Sequence, residues 1–104
     1  MAEEIVQEIL WTDSAKFTFN KIIEYLRREW TEREVENFVT RSEEMLSTLK
    51  RYPKMCRPST KRKNVRIGIL DKHTQLVYHY KPKKKQIEVL LFWGMKQDPS
   101  KFKY

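Results

Sequence analysis

The fold is decided by residues 65–99, which read VRIGILDKHTQLVYHYKPKKKQIEVLLFWGMKQDP. Three segments of this stretch are rich in β-branched and aromatic residues, and short polar breaks separate them. The segments are residues 65–70, 75–80 and 86–93, and the breaks are residues 71–74 and 81–85. This spacing predicts three consecutive strands that form an antiparallel meander. The last segment is apolar nearly throughout, which is typical of a strand in the middle of a sheet.

The chain before this stretch predicts one strand and two helices. Residues 4–11 alternate imperfectly between apolar and polar side chains, which indicates a strand. The triplet Thr-Asp-Ser at residues 12–14 can cap a helix, whose apolar positions then recur at steps of three and four up to Trp30. Thr31 and Glu34 form a capping box that begins a second helix. Pro53, four residues after the last apolar position Leu49, ends that helix.

The order strand, helix, helix and three strands predicts an α+β domain, in which a helical hairpin packs on the C-terminal three-stranded meander. In the first strand of the meander, Val65, Ile67 and Ile69 alternate with Arg66. Alternate residues of a strand point to opposite faces of the sheet. We therefore expect the apolar face to pack on the hairpin and Arg66 to emerge from an open, basic face.

Length and composition limit the class of protein. A chain of 104 residues has room for a single domain, residues 1–104. Cys56 is the only cysteine and gives no zinc-ligand spacing with His73 and His79, so we expect no disulfide, metal or cofactor. The first residues are acidic, and the longest apolar run, residues 89–93, is too short to cross a bilayer. These features predict a cytoplasmic protein that makes no membrane contact.

Charge is distributed unevenly along the chain, whose formal net charge is +8. Residues 1–49 hold 6 Lys and Arg against 11 Asp and Glu, a net −5, whereas residues 50–104 hold 16 against 3, a net +13. A run of charge in a loop is often only solvated. Here the same sign continues into the hairpin turn, which predicts a polyanion-binding patch. The candidate nucleic-acid-binding residues are Arg51, Lys54, Arg57, Lys61, Arg62, Lys63, Lys83, Lys84 and Lys85.

Several short motifs, in order along the chain, resemble the RelE/ParE superfamily of bacterial type II toxins, which includes plasmid stabilisation proteins. They are residues 11–15 (WTDSA) opening a helix, 23–26 (IEYL) within it, the Arg66 strand, 76–80 (LVYHY) and 92–99 (FWGMKQDP). The resemblance covers nearly the whole chain. It implies a toxin that a cognate antitoxin holds inactive in a hetero-oligomer.

The superfamily divides in mechanism. RelE-like members cleave messenger RNA in the ribosome and are endoribonucleases, whereas ParE-like members poison DNA gyrase and are not enzymes. For the cleaving branch, the resemblance implies site roles for Arg66, for Lys96 and for Tyr104. The ending at residues 97–99 is more similar to the ParE-like branch. The resemblance leaves both targets open.

The chemistry of strand scission adds one candidate and leaves alternatives. Attack by a ribose 2′-hydroxyl needs a proton acceptor, and His79 has a suitable ordinary pKa, although a lone strand histidine is more often structural. Tyr78, Tyr80, Phe92 and Trp93 can either stack on bases or fill the core. Cys56 is either a mildly activated thiol or an ordinary loop cysteine. A non-catalytic RNA- or DNA-binding module and a protein-interaction module remain alternatives to the toxin.

Overall fold

A computed structural model describes residues 6–94, 97 and 99–104. Its elements are β1 (Glu8–Trp11), α1 (Asp13–Glu29), α2 (Glu32–Arg51), β2 (Arg57–Pro58), β3 (Val65–Ile69), β4 (Thr74–Lys81) and β5 (Gln86–Gly94). Single 3₁₀ turns follow β4 at Pro82–Lys84 and lie near the C-terminus at Pro99–Lys101. This element order confirms the predicted α+β class, with an N-terminal strand, a helical hairpin and a C-terminal meander.

The strands form one sheet in the order β1-β5-β4-β3-β2. β1 pairs in parallel with β5, and all other pairs are antiparallel. β5 is therefore an interior strand between β1 and β4, in keeping with its apolar sequence. The connector between α2 and β3, residues 52–64, contributes the two-residue edge strand β2.

The two helix starts differ in how they are capped. The Thr12 hydroxyl accepts a hydrogen bond from the Ala15 amide (3.0 Å) and donates to the Val89 carbonyl (2.9 Å), which fixes α1 to β5. The predicted capping box at the start of α2 is wrong, because the Thr31 side chain makes no cap hydrogen bond. The Glu34 amide instead donates to the Thr31 carbonyl over 3.0 Å.

The main core lies between the helical hairpin and one face of the sheet, which we call the inner face. An aromatic cluster forms its centre, with ring centroids 5.0 to 6.1 Å apart. Its members are Trp11, Phe19, Phe38 and Phe92. Tyr78, Leu76 and Ile87 are completely buried beside this cluster.

A second, smaller apolar cluster lies on the opposite face, which we call the outer face. Val65, Ile67 and Val77 are its buried members, and the C-terminal Phe102 and Tyr104 pack against them. A β-bulge supplies a further contact: Val77 pairs with Leu91 and Tyr78 with Val89, so Leu90 is the extra residue. Leu90 and Leu91 consequently both contact the outer cluster.

The predicted assignment of the sheet faces is wrong. Arg66 pairs with Tyr78, a member of the inner core, so Arg66 lies on the helix-covered face. Val65 and Ile67 face the C-terminal segment instead, and Ile69 is 65% exposed. Alternation identifies the residues that share a face but carries no information on which element covers that face.

Candidate functional site

Arg66 is held by the backbone of the connector. Its guanidinium Nη1 donates to the Cys56 carbonyl over 2.6 Å and to the Lys54 carbonyl over 3.0 Å. Beside it, the Tyr78 hydroxyl donates to the Pro53 carbonyl over 2.7 Å. Two inner-face side chains therefore supply the donors that hold an irregular segment of main chain against β3 and β4.

Burial shifts the pKa values of two groups beside Arg66, the Cys56 thiol and the Tyr78 hydroxyl. Burial raises the pKa of the Cys56 thiol above its ordinary value, more strongly than the neighbouring Arg66 charge lowers it. Burial is also the first cause of a raised pKa at the Tyr78 hydroxyl. Both groups are neutral at physiological pH, so Cys56 is an ordinary, unactivated cysteine and Tyr78 a hydrogen-bond donor.

His79 lies on the outer face, in register with Val65. Its Nδ1 is 4.0 Å from Oε1 of Glu88, and the Lys81 ammonium is 3.7 Å from the same oxygen. All three side chains are roughly one-third exposed. The cluster holds an acid and two bases on neighbouring strands, but the sheet separates it from Arg66.

Tyr104 also lies on the outer face, in a C-terminal segment that is bound to the loop between β2 and β3. The Ser59 hydroxyl donates to the Tyr104 carbonyl, and the Lys61 ammonium donates to the Phe102 carbonyl over 3.3 Å. The Arg62 guanidinium stacks over the Tyr104 ring, 4.7 Å from its centroid. The tyrosine ring is therefore packed between a cation and the outer cluster.

The structure does not bring the proposed catalytic residues together. Arg66 is on the inner face, His79 and Tyr104 are on the outer face, and Lys96 lies outside the described residues. The aromatic candidates for base stacking are mostly core residues: Tyr78, Tyr80 and Phe92 are buried. Trp93 is half-buried against the Phe102 ring, with centroids 5.1 Å apart.

Backbone hydrogen bonds do bring three basic segments to one end of the sheet. Amides just before β1 donate to the Lys50 carbonyl over 3.4 Å and to the Lys85 carbonyl over 2.7 Å. The Tyr80 amide donates to the Asn64 carbonyl over 2.9 Å, which joins the loop between β2 and β3 to the end of β4. We call the exposed cations of these segments the basic end; they are Lys50, Arg51, Lys61, Arg62, Lys63, Lys83, Lys84 and Lys85.

Two predicted binding residues lie apart from the basic end. Arg57 pairs with Ile67 in the middle of β3, and Lys54 is in the connector segment that Arg66 binds. Lys50 belongs to the basic end, although it was not among the candidate binding residues. The sequence did contain a signal, since Lys50 begins the basic half of the chain. The position of Lys50 at the basic end, however, depends on the path of α2. Ser59 carried no sequence signal, because its partner is a main-chain carbonyl 45 residues away.

A shallow cavity of about 320 Å³ beside α2 is lined by Arg41, Glu44, Met45, Thr48, Met55 and Leu70. No cluster of three metal-ligating side chains occurs in residues 6–94, 97 and 99–104. Within the same part of the chain, neither helix combines the length and the apolar character needed to cross a membrane.

Comparisons with known proteins identify the family. A family model described as the ParE toxin of type II toxin-antitoxin system, parDE, matches residues 9–99. A solved structure described as a chromosomal ParDE TA system from P. aeruginosa superposes with a TM-score of 0.71, at 18% sequence identity. The superposition covers 88% of this chain and 98% of that one. No curated protein gives a significant match. Because the family model spans most of the sequence, the chain belongs to the ParE toxins of type II toxin-antitoxin systems.

Proposed function

We propose that the chain arrests growth by binding DNA gyrase, without cleaving messenger RNA, and that a cognate antitoxin neutralises it in a hetero-oligomer. Membership of the ParE family favours this branch, and one observation carries the choice. The Arg66 guanidinium donates to two connector carbonyls on the inner face, and the sheet separates it from His79 and Tyr104.

That separation matters because of what RNA cleavage requires. A base must take the proton of the 2′-hydroxyl while positive charge stabilises the phosphate, and both groups must reach one reacting centre at hydrogen-bond distances. The Nη1 of Arg66 already donates to two main-chain carbonyls, and its loss would leave the half-buried Cys56 carbonyl without that donor. The role that fits these contacts is structural, so growth arrest is proposed to act through binding of a protein target.

Induction of the untagged chain in a bacterium is the test. We expect growth arrest with DNA-damage signalling, no codon-spaced cuts in messages by primer extension, and rescue by the protein encoded beside it. With purified gyrase and supercoiled plasmid, the chain should increase the fraction of linear, gyrase-linked DNA. Codon-spaced cuts would replace this proposal with ribosome-dependent cleavage. Unaffected growth would favour a binding module.

Site variants separate the two mechanisms further. His79→Gln and Tyr104→Phe should leave toxicity unchanged, because neither group takes part in chemistry. Arg66→Gln removes donors from two carbonyls and should lower the free energy of unfolding by about 1 to 3 kcal/mol. Its toxicity should fall only in proportion to the folded fraction measured by circular dichroism. A folded, stable Arg66→Gln protein without toxicity would restore Arg66 to a functional site.

A further inference from the structure

We propose that the basic end is a binding surface for the phosphate backbone of double-stranded DNA. The inference does not depend on which target the toxin has, because it rests on the surface alone. Three segments distant in sequence meet there: the end of α2, the loop between β2 and β3, and the turn after β4. Together they expose eight cations.

Among the residues that the structure describes, little acidic charge compensates this surface locally. Residues 50–64 and 81–85 contain no Asp or Glu. The acids of neighbouring strands are Glu8, whose carboxylate accepts from the Gln86 side-chain Nε2 over 2.6 Å, and Glu88, which faces Lys81 over 3.7 Å. Gathering like charges opposes folding by self-repulsion. The Lys50 and Arg51 charges do favour the C-terminal end of α2, but that benefit does not extend to the lysines of the two loops.

The residue types favour nucleic acid over a protein partner. Six of the eight cations are lysines, which are depleted in the cores of protein interfaces but act as point charges toward phosphate. Single-strand binding surfaces use several aromatic rings as stacking platforms. Here two rings lie beside the basic end: Tyr52, which is 61% exposed, and Tyr104, which is half-buried under the Arg62 guanidinium. Lysines in turns, with one exposed ring beside them, fit the dense phosphate charge of a duplex.

The turn after β4 is the best place to test this surface. Lys83 and Lys84 lie in the 3₁₀ turn, and Lys85 follows it in a left-handed conformation at φ 52°. All three side chains are exposed. Replacing them by glutamine removes three charges without removing any apolar side chain, so the fold should be retained.

The experiment is fluorescence anisotropy with a short labelled DNA duplex of mixed sequence, titrated with the purified chain at several salt concentrations. We expect weak, sequence-independent binding whose log affinity falls linearly with log salt, with a slope near −0.9 for each phosphate contact. Lys83→Gln/Lys84→Gln/Lys85→Gln should bind at least about tenfold more weakly in low salt, and its slope should be shallower by up to about 3. The control Lys16→Gln/Lys21→Gln/Lys72→Gln, with the same net charge, should bind like the parent.

Several results would overturn the proposal. They are absence of duplex binding by the parent chain, an equal loss in both triple variants, or competition by a polyglutamate peptide at lower concentration than by unlabelled duplex. The last result would identify an acidic protein segment as the partner. If the first triple variant unfolds, Lys50→Gln/Lys63→Gln tests the same surface from its other two segments. These measurements use neither gyrase nor cells, so their outcome is separate from that of the proposed function.

Discussion

The two faces of the sheet are both apolar, yet they are covered in different ways. The inner face is covered by two long helices and holds a cluster of four aromatic rings. The outer face has a short chain segment, which places Phe102 and Tyr104 over three buried aliphatic side chains. We therefore expect the inner face to supply most of the stability of the fold and the outer face to organise the C-terminal segment.

The polar contacts follow the same division. On the inner face, Arg66 and Tyr78 donate to carbonyls of the connector, in hydrogen bonds that range from exposed, at Lys54, to buried, at Pro53. On the outer face, donors from the loop between β2 and β3 bind the main chain of the C-terminal segment. Each face therefore anchors one irregular segment, but the inner anchors come from strand side chains and the outer anchors from a loop.

Removing an aromatic ring from the inner face should give the largest effect. Phe92 is 1% exposed and contacts three other rings. Phe92→Ala leaves a cavity that helices and sheet cannot close, which should lower the free energy of unfolding by about 3 to 5 kcal/mol. Urea unfolding followed by circular dichroism measures the change. A loss below about 1 kcal/mol would show that this face does not supply most of the stability.

The close approach of the connector to the inner face depends on Gly68. A Cβ at this position would lie 2.7 Å from the Cys56 Sγ and 3.8 Å from the Met45 methyl carbon. Gly68→Ala should therefore lower the free energy of unfolding by about 1 to 3 kcal/mol. Cys56→Ala removes the sulfur, so the double variant should recover most of that loss. A double variant as unstable as Gly68→Ala alone would place the strain elsewhere.

Gly68 also illustrates how much of this fold could be predicted from the sequence. The period-two pattern predicted all three strands of the meander, and the steps of three and four predicted both helices, because those patterns record local geometry. The assignment of faces was wrong because both faces of β3 are covered, and alternation alone cannot rank two coverings. Gly68, which lies on the other face of β3 from Val65 and Ile67, was the available signal, since a glycine within a strand marks the close approach of another segment.

The candidate site was less predictable than the fold for a related reason. Basic residues in the second half of the chain were visible in the sequence, and most of those proposed for binding do meet at the basic end. Their meeting depends on hydrogen bonds between residues far apart, such as Tyr80 with Asn64 and Gln7 with Lys85. The separation of Arg66 from His79 likewise could not be predicted, because it depends on which face of the sheet each residue occupies, and composition does not record that.

Removing a ring from the outer face should have a smaller effect. Phe102 is half-buried and contacts the rings of Trp93 and Tyr104 at centroid distances of 5.1 and 6.0 Å. Phe102→Ala should lower the free energy of unfolding by about 1 kcal/mol, because only part of the ring area is removed from water. Hydrogen exchange should increase at Val65 and Ile67 while the helices keep their protection. Equal loss of protection in both regions would show that the faces unfold as one unit.

The smallest expected effect is a difference between the two faces in how the stability of the protein depends on pH. The pKa values of Cys56 and Tyr78, both on the inner face, are raised above their ordinary values of 9.0 and 10.0. For an acid whose pKa is higher in the folded state, the unfolded chain loses its proton first as the pH rises. The stability contributed by the neutral group is therefore complete below the ordinary pKa and is lost as the pH rises toward the folded-state pKa.

We accordingly expect the urea midpoint to fall as the pH rises from about 8 to about 10, the range in which the unfolded thiol and then the phenol ionise. Cys56→Ala/Tyr78→Phe should show a shallower fall, whereas His79→Gln on the outer face should show the slope of the parent. Comparison of slopes cancels every contribution that the variants share. Equal slopes in the parent and in the double variant would mean that burial on the inner face does not set the alkaline limit of stability.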